Sequence, residues 1–129
     1  MQKNNWKEVF TLCNEVLGSG SHSREASVNW CAWTTFSSLE EGVFYWESGI
    51  PSKNEIYENY VGEGVWKQPF LYEDLAHLII PRTFYWERVS GTEFRSGYKK
   101  QGIEELALAF NTTDISYSLS KYWFEIRLF

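Results

Sequence analysis

Apolar residues between positions 4 and 17 fall three and four apart: Trp6, Val9, Phe10, Cys13, Val16 and Leu17. That spacing lines one side of a helix, while Lys3, Lys7, Glu8, Asn14 and Glu15 take the other. Gly18-Ser19-Gly20 ends it, because glycine adopts a left-handed cap at little cost. Residues 18–27 read as a mobile polar loop. Val28 to Phe36 then predicts a strand. Its Trp30 and Trp33 are three apart, so they point to opposite faces unless a bulge realigns them. Ser37-Ser38 and Glu40-Glu41-Gly42 supply turn chemistry, and Val43 to Glu47 returns as a second strand of a hairpin.

The pattern changes after Ser48-Gly49-Ile50-Pro51. Ser52-Lys53-Asn54-Glu55 is a capping box, and it predicts a short helix to about Val61, closed by Gly62 and Gly64. Residues 65–80 read two ways. Pro69 with Glu73 and Asp74 suits a helix start, and Leu71, Leu75 and Leu78 keep helical spacing. Leu78-Ile79-Ile80 equally suits a buried strand. Thr83 to Ser90 is a third strand, Ser90-Gly91-Thr92 a turn, and Glu93 to Tyr98 a fourth strand. Residues 101–110 are helical, with Ile103, Leu106 and Phe110 as the stripe. Tyr122 to Phe129 alternates with period two, so it predicts a docked C-terminal strand.

One phrase recurs. Residues 44–47 and 84–87 both read Phe-Tyr-Trp-Glu, and Tyr122-Trp123-Phe124-Glu125 nearly repeats it. Aromatic residues favour strands, so these three runs are expected to carry most of the buried aromatic surface. The elements together predict a single α+β domain over residues 1–129. An antiparallel sheet of four to six strands packs one face on the 4–17 and 101–110 helices.

The chain is 43% hydrophobic and 19% aromatic, which excludes disorder. Its formal net charge is −5. Through Leu78 five basic residues face eleven acidic ones; from Ile79 onward seven face six. An acidic surface is a poor partner for nucleic acid and a good one for a basic protein. The N-terminal residues Met1 to Asn5 hold no apolar signal core, and no run is long enough to span a membrane, so a cytoplasmic chain is expected. Cys13 and Cys31 have no metal or redox spacing. Two buried thiols in a reducing compartment is the first reading, and a Cys13–Cys31 disulfide the alternative.

Chemistry-bearing patterns are sparse. His77 follows Glu73 and Asp74 by one helical turn, an arrangement that general acid–base work can use. A small hydrolase built on it is one alternative. The basic residues Arg82, Arg88, Arg95, Lys99, Lys100, Lys121 and Arg127 interleave with rings, as single-stranded RNA binders do. An RNA-binding module is the other alternative. No residues with metal-ligand spacing or phosphate-cradling glycine loops are found, so no cofactor or metal is expected.

The densest pairing of carboxylates with rings is the segment carrying Glu55, Tyr57, Glu58, Tyr60, Glu63, Trp66, Tyr72, Glu73 and Asp74. With it, the small acidic aromatic-rich chain resembles the immunity proteins of bacterial toxin systems, such as toxin–antitoxin and contact-dependent growth-inhibition systems. The resemblance is one of overall character. It implies a non-catalytic cytoplasmic inhibitor that binds a cognate toxin, with a basic nuclease domain as partner. Those nine residues would form the contact surface, on a monomer or weak dimer, without membrane or nucleic acid.

Overall fold

The computed structural model describes residues 3–129, with side chains from Asn5 onward; Met1 and Gln2 lie outside the described residues. The α+β fold is as expected. Helix α1 spans Lys3–Leu17, and its stripe of Trp6, Val9, Phe10 and Cys13 is buried. Strand β1 (Cys31–Thr35) leads to a short helix α2 (Phe36–Glu41) and to β2 (Trp46–Ser48). Next come β3 (Tyr60–Gly62), β4 (Pro69–Leu71) and β5 (Leu75–Pro81). Strands β6 (Thr83–Ser90) and β7 (Glu93–Lys100) form a hairpin. Helix α3 (Ile103–Phe110), β8 (Ser118–Leu119) and β9 (Trp123–Arg127) complete the chain.

Five strands make one antiparallel sheet in the order β2-β1-β5-β9-β8. The pairs β3–β4 and β6–β7 are separate two-stranded units. Alternation gives the main sheet two unlike faces. Cys31, Trp33, Leu78, Ile80, Phe124 and Ile126 point into the core with α1 and α3. Ala32, Ile79, Pro81, Trp123, Glu125 and Arg127 alternate with them and are half-buried or exposed. Among the described residues no helix covers that second face.

An aromatic stack sits at the centre of the core. Trp33 of β1 and Trp66, from the turn between β3 and β4, lie face to face with centroids 3.6 Å apart and planes 8° from parallel. Phe70 meets both edge-on, and Phe10 of α1 meets Trp66 at 5.1 Å. Tyr72 and Trp6 flank Phe10. The Trp66 indole N–H donates to the Gly49 carbonyl at 3.0 Å. At the other end α3 places Phe110 against Phe124.

The repeated aromatic runs do not carry this core. Of their nine rings only Phe84 and Phe124 are buried. The first run lies at the edge strand β2 and the second enters the outlying hairpin, where little remains to cover them.

Three local expectations are overturned and the open reading of residues 65–80 is decided for strand, each with a tertiary contact. Residues 36–41 are helical rather than a strand end and turn, and Gly42 caps them. Thr35 caps α2 by accepting from Ser38 N, and Asp74 accepts from the Ser37 N–H and hydroxyl at 3.2 and 3.0 Å. The capping box at Ser52 forms, but its helix stops after one 3₁₀ turn, Lys53–Glu55. The Glu55 carboxylate also accepts from Val65 N, and Tyr60 to Gly62 pair with β4 instead. Residues 69–81 form strand, one 3₁₀ turn and strand, so the helical leucine spacing is incidental. The polar loop after α1 is pinned. Asn29 donates to the Leu17 and Gly18 carbonyls that end α1 and accepts from Ile50 N. There Gly20 and Gly49 pass so closely that a Cβ on Gly49 would sit 2.5 Å from Ser21 N.

Both cysteines are free and fully buried, and burial pushes both thiols up.

Deleting half of the central stack should be costly. Trp33→Ala or Trp66→Ala is expected to lose about 3–5 kcal/mol in denaturant unfolding, the range for a buried large ring. Val89→Ala, in the exposed part of β6, should stay within about 0.5 kcal/mol. Equal losses at the three positions would contradict the stack's central role.

Candidate functional site

The nine residues singled out between 55 and 74 separate into two groups. Glu55, Trp66 and Tyr72 are buried and structural, which corrects their expected place on a contact surface. Glu55 holds two backbone amides, and Gly64 lets it approach, since a Cβ there would strike the carboxylate. Tyr72 donates its hydroxyl to the Tyr57 carbonyl at 2.7 Å. Asp74 is half-buried and committed to α2. Rings of this kind fill cores as readily as interfaces, and spacing does not distinguish the two uses.

Tyr57, Glu58, Tyr60, Glu63 and Glu73 remain accessible. Tyr57 and Tyr60 stack on each other at 4.4 Å, 20° from parallel. Glu58 holds Lys7 of α1 at 3.0 Å and keeps a well-exposed carboxylate. Glu63 sits in the β3–β4 turn with a left-handed backbone, φ +83°, and Lys67 closes that turn at φ +68°. Such conformations cost a non-glycine residue about 1–3 kcal/mol and persist only where surrounding contacts enforce them. Here Glu63 N donates to the Gln68 carbonyl and Lys67 N to that of Gly64. The Glu63 carboxylate lies beside the Tyr60 phenol. Partial burial first, and then Glu63 and Tyr57, push that phenol above its ordinary pKa. The result is a paired-ring ridge with Glu63 beside Tyr60, and Glu58, next to Tyr57 in sequence, paired to Lys7 of α1.

His77 does not meet Glu73 or Asp74, because residues 72–81 are not one helix. It lies in β5, on the face opposite the helices, between Tyr45 and Glu125. The Tyr45 hydroxyl is 2.7 Å from Nδ1. If it donates there, the ring proton is left on Nε2, facing Glu125 Oε2 at 3.5 Å. That oxygen also accepts from the Trp123 indole at 2.6 Å, while the buried Nε2 is too distant from it for a well-formed hydrogen bond. Phe129 covers the ring edge-on. Burial lowers the His77 pKa; Glu125 opposes that shift and Arg127 adds to it. A Tyr–His–Glu chain can relay a proton, yet neither Tyr45 nor His77 lines a described cavity.

The basic residues of the second half are largely engaged. Arg82 pairs with Glu104, Arg88 with Glu25 and Arg95 with Glu93. The Lys99 ammonium donates to the carbonyls of Arg24, Glu25 and Ser27. Lys100, Lys121 and Arg127 form no ion pair among the described residues.

Pattern reading missed the open sheet face. A groove of about 300 Å³ crosses it, lined by Arg24, Trp30, Cys31, Ala32, Glu47, Ile79, Pro81, Phe84 and Tyr85. Arg24 pairs with Glu47 at its rim and lies over the Trp30 ring. Alternation in β5 signals a second, less apolar face, and side chains rather than helices cover it in part, with Tyr45 and Phe129 over His77.

The direction of the His77 shift gives a pH dependence. Its folded pKa lies below the unfolded value of about 6.5, so the native state holds the ring neutral. Its contribution is complete above about pH 6.5 and is lost as pH falls toward the lower folded pKa. Wild type should therefore lose stability relative to His77→Gln between about pH 7 and pH 5. Denaturant midpoints of the two proteins that run parallel over that range would refute it.

Among the described residues no helix is long and apolar enough to cross a membrane. Comparison with known proteins returns no matching family, no matching curated protein and no matching solved structure.

Proposed function

We propose that this chain is a non-catalytic inhibitor of the immunity-protein kind, which binds a cognate toxin in the cytoplasm and blocks its active site or substrate surface. The observation that carries the reading is the stack of exposed Tyr57 on half-buried Tyr60, with Glu63 beside Tyr60 and an exposed Glu58 following Tyr57. Stacked rings lose little entropy on binding and offer broad apolar area, the profile of an interface anchor. Carboxylates around them attract a basic partner and speed encounter. The excess of acidic residues through Leu78 acts in the same direction. A basic nuclease domain fits this surface, and the role requires no cofactor from this chain.

The test is co-expression with the product of the toxin-bearing reading frame expected immediately upstream. Wild type should rescue growth and co-purify with that product. Tyr57→Ala with Tyr60→Ala should cost about 2 kcal/mol or more, roughly thirtyfold in affinity. Glu63→Lys should chiefly slow association and reduce its salt dependence. Cells that die equally with and without the protein, with no complex recovered, would end the inhibitor reading.

A further inference from the structure

We propose that the groove between α2 and β4 is a docking site for an arginine side chain of a partner protein, its guanidinium held at Glu41 and Asp74 and its stem laid on Trp46 and Leu71. The inference goes beyond the inhibitor reading and does not rest on it.

Helix α2 packs unlike the other two. None of its six residues is buried, and a helix this short does not hold itself together in water. Its position is imposed from outside. Thr35 caps it, and Asp74 accepts from both donors of Ser37. So placed, α2 forms one side of a groove of about 310 Å³, with β4 on the other. Trp46, Pro69, Phe70 and Leu71 supply its apolar surface. Phe70 belongs to the core, but Leu71 is 52% exposed, Pro69 is exposed and Trp46 is half-buried. Phe44, 55% exposed, extends this surface by meeting Trp46 edge-on at 4.8 Å. Leu71 also lies directly across from Tyr60 in the β3–β4 pair, so the groove adjoins the tyrosine ridge.

Charge selects the occupant. Glu41 and Asp74 line the groove, and among the described residues no Lys, Arg or His does. Glu41 forms no ion pair among the described residues. Both bonds from Ser37 to Asp74 use one oxygen, Oδ1. The exposed Glu40 and Glu73 are their sequence neighbours and add to the negative field. An anionic ligand is repelled here, and a wholly apolar one strips water from the carboxylates without replacing it. A long basic side chain suits both halves, because its methylene stem covers the rings while its head stays at the acids. Arginine suits them better than lysine. Its planar guanidinium forks onto carboxylate oxygens and lies flat on an aromatic ring. Free arginine would bring its own carboxylate into the same field, whereas an arginine within a polypeptide does not. The occupant is therefore a residue of a protein partner.

Amide chemical shifts of the isotope-labelled protein, titrated with N-acetyl-arginine amide, test this. That probe carries the side chain without a carboxylate. Shifts should move along residues 36–46 and 68–74 and saturate at roughly millimolar affinity, in keeping with a single side chain. N-acetyl-citrulline amide, similar in shape but uncharged, should bind at least about tenfold more weakly. N-acetyl-lysine amide should fall between them. Glu41→Gln and Leu71→Ser should each weaken the arginine probe at least about threefold. Neither residue is buried, so circular dichroism should stay unchanged in both variants. The absence of a saturable shift at the groove would overturn the proposal. So would equal binding of the citrulline probe, or an affinity for the arginine probe indifferent to Glu41→Gln.

Discussion

The stack of Trp33 on Trp66 is the contact on which the other parts depend. Trp33 belongs to β1, between β2 and β5, whereas Trp66 belongs to a turn outside the sheet. Their contact holds the β3–β4 unit against the sheet, and Phe10 brings α1 onto Trp66. From the Trp66 indole the chain of contacts runs to Gly49, across the close passage with Gly20, and through Asn29 to the end of α1. The presentation of Tyr57 and Tyr60 follows from this, because the strand beside them is positioned by the buried ring and by the Tyr72 hydroxyl.

Legibility of the sequence followed the range of the deciding interaction. Helices α1 and α3, the hairpin and β9 were readable, because their local periodicity agrees with the face they bury. Residues 52–81 were not, because single side chains reaching across the fold decide them. Glu55 bonds to Val65 N, Asp74 to α2, and neither bond leaves a trace in spacing. The candidate site was half legible for the same reason. Tyr57 and Trp66 look alike in a one-dimensional pattern, and only the stack on Trp33 separates anchor from core. Gln101 is a further case. Its amide both accepts from and donates to the Trp30 backbone and also reaches the Pro81 carbonyl, standing in for a missing strand.

The two sides of the main sheet differ in kind. The helix side is closed by rings and carries the acidic tyrosine ridge. The other side is open, with the Tyr45–His77–Glu125 chain at one end and the groove at the other.

Strands β5 and β6 are one extended run interrupted only at Arg82. Odd-numbered residues face outward on both sides of that joint, from Ile79 and Pro81 to Tyr85 and Val89. Side-chain direction alternates with every residue, so the joint acts as a phase setting. Substitution at Arg82 leaves the phase intact. One added or removed residue there would change which of the two alternating sets, Phe84, Trp86 and Arg88 or Tyr85, Glu87 and Val89, continues from the Ile79 and Pro81 face of β5. Variation in this segment is therefore open to chemistry and closed to length.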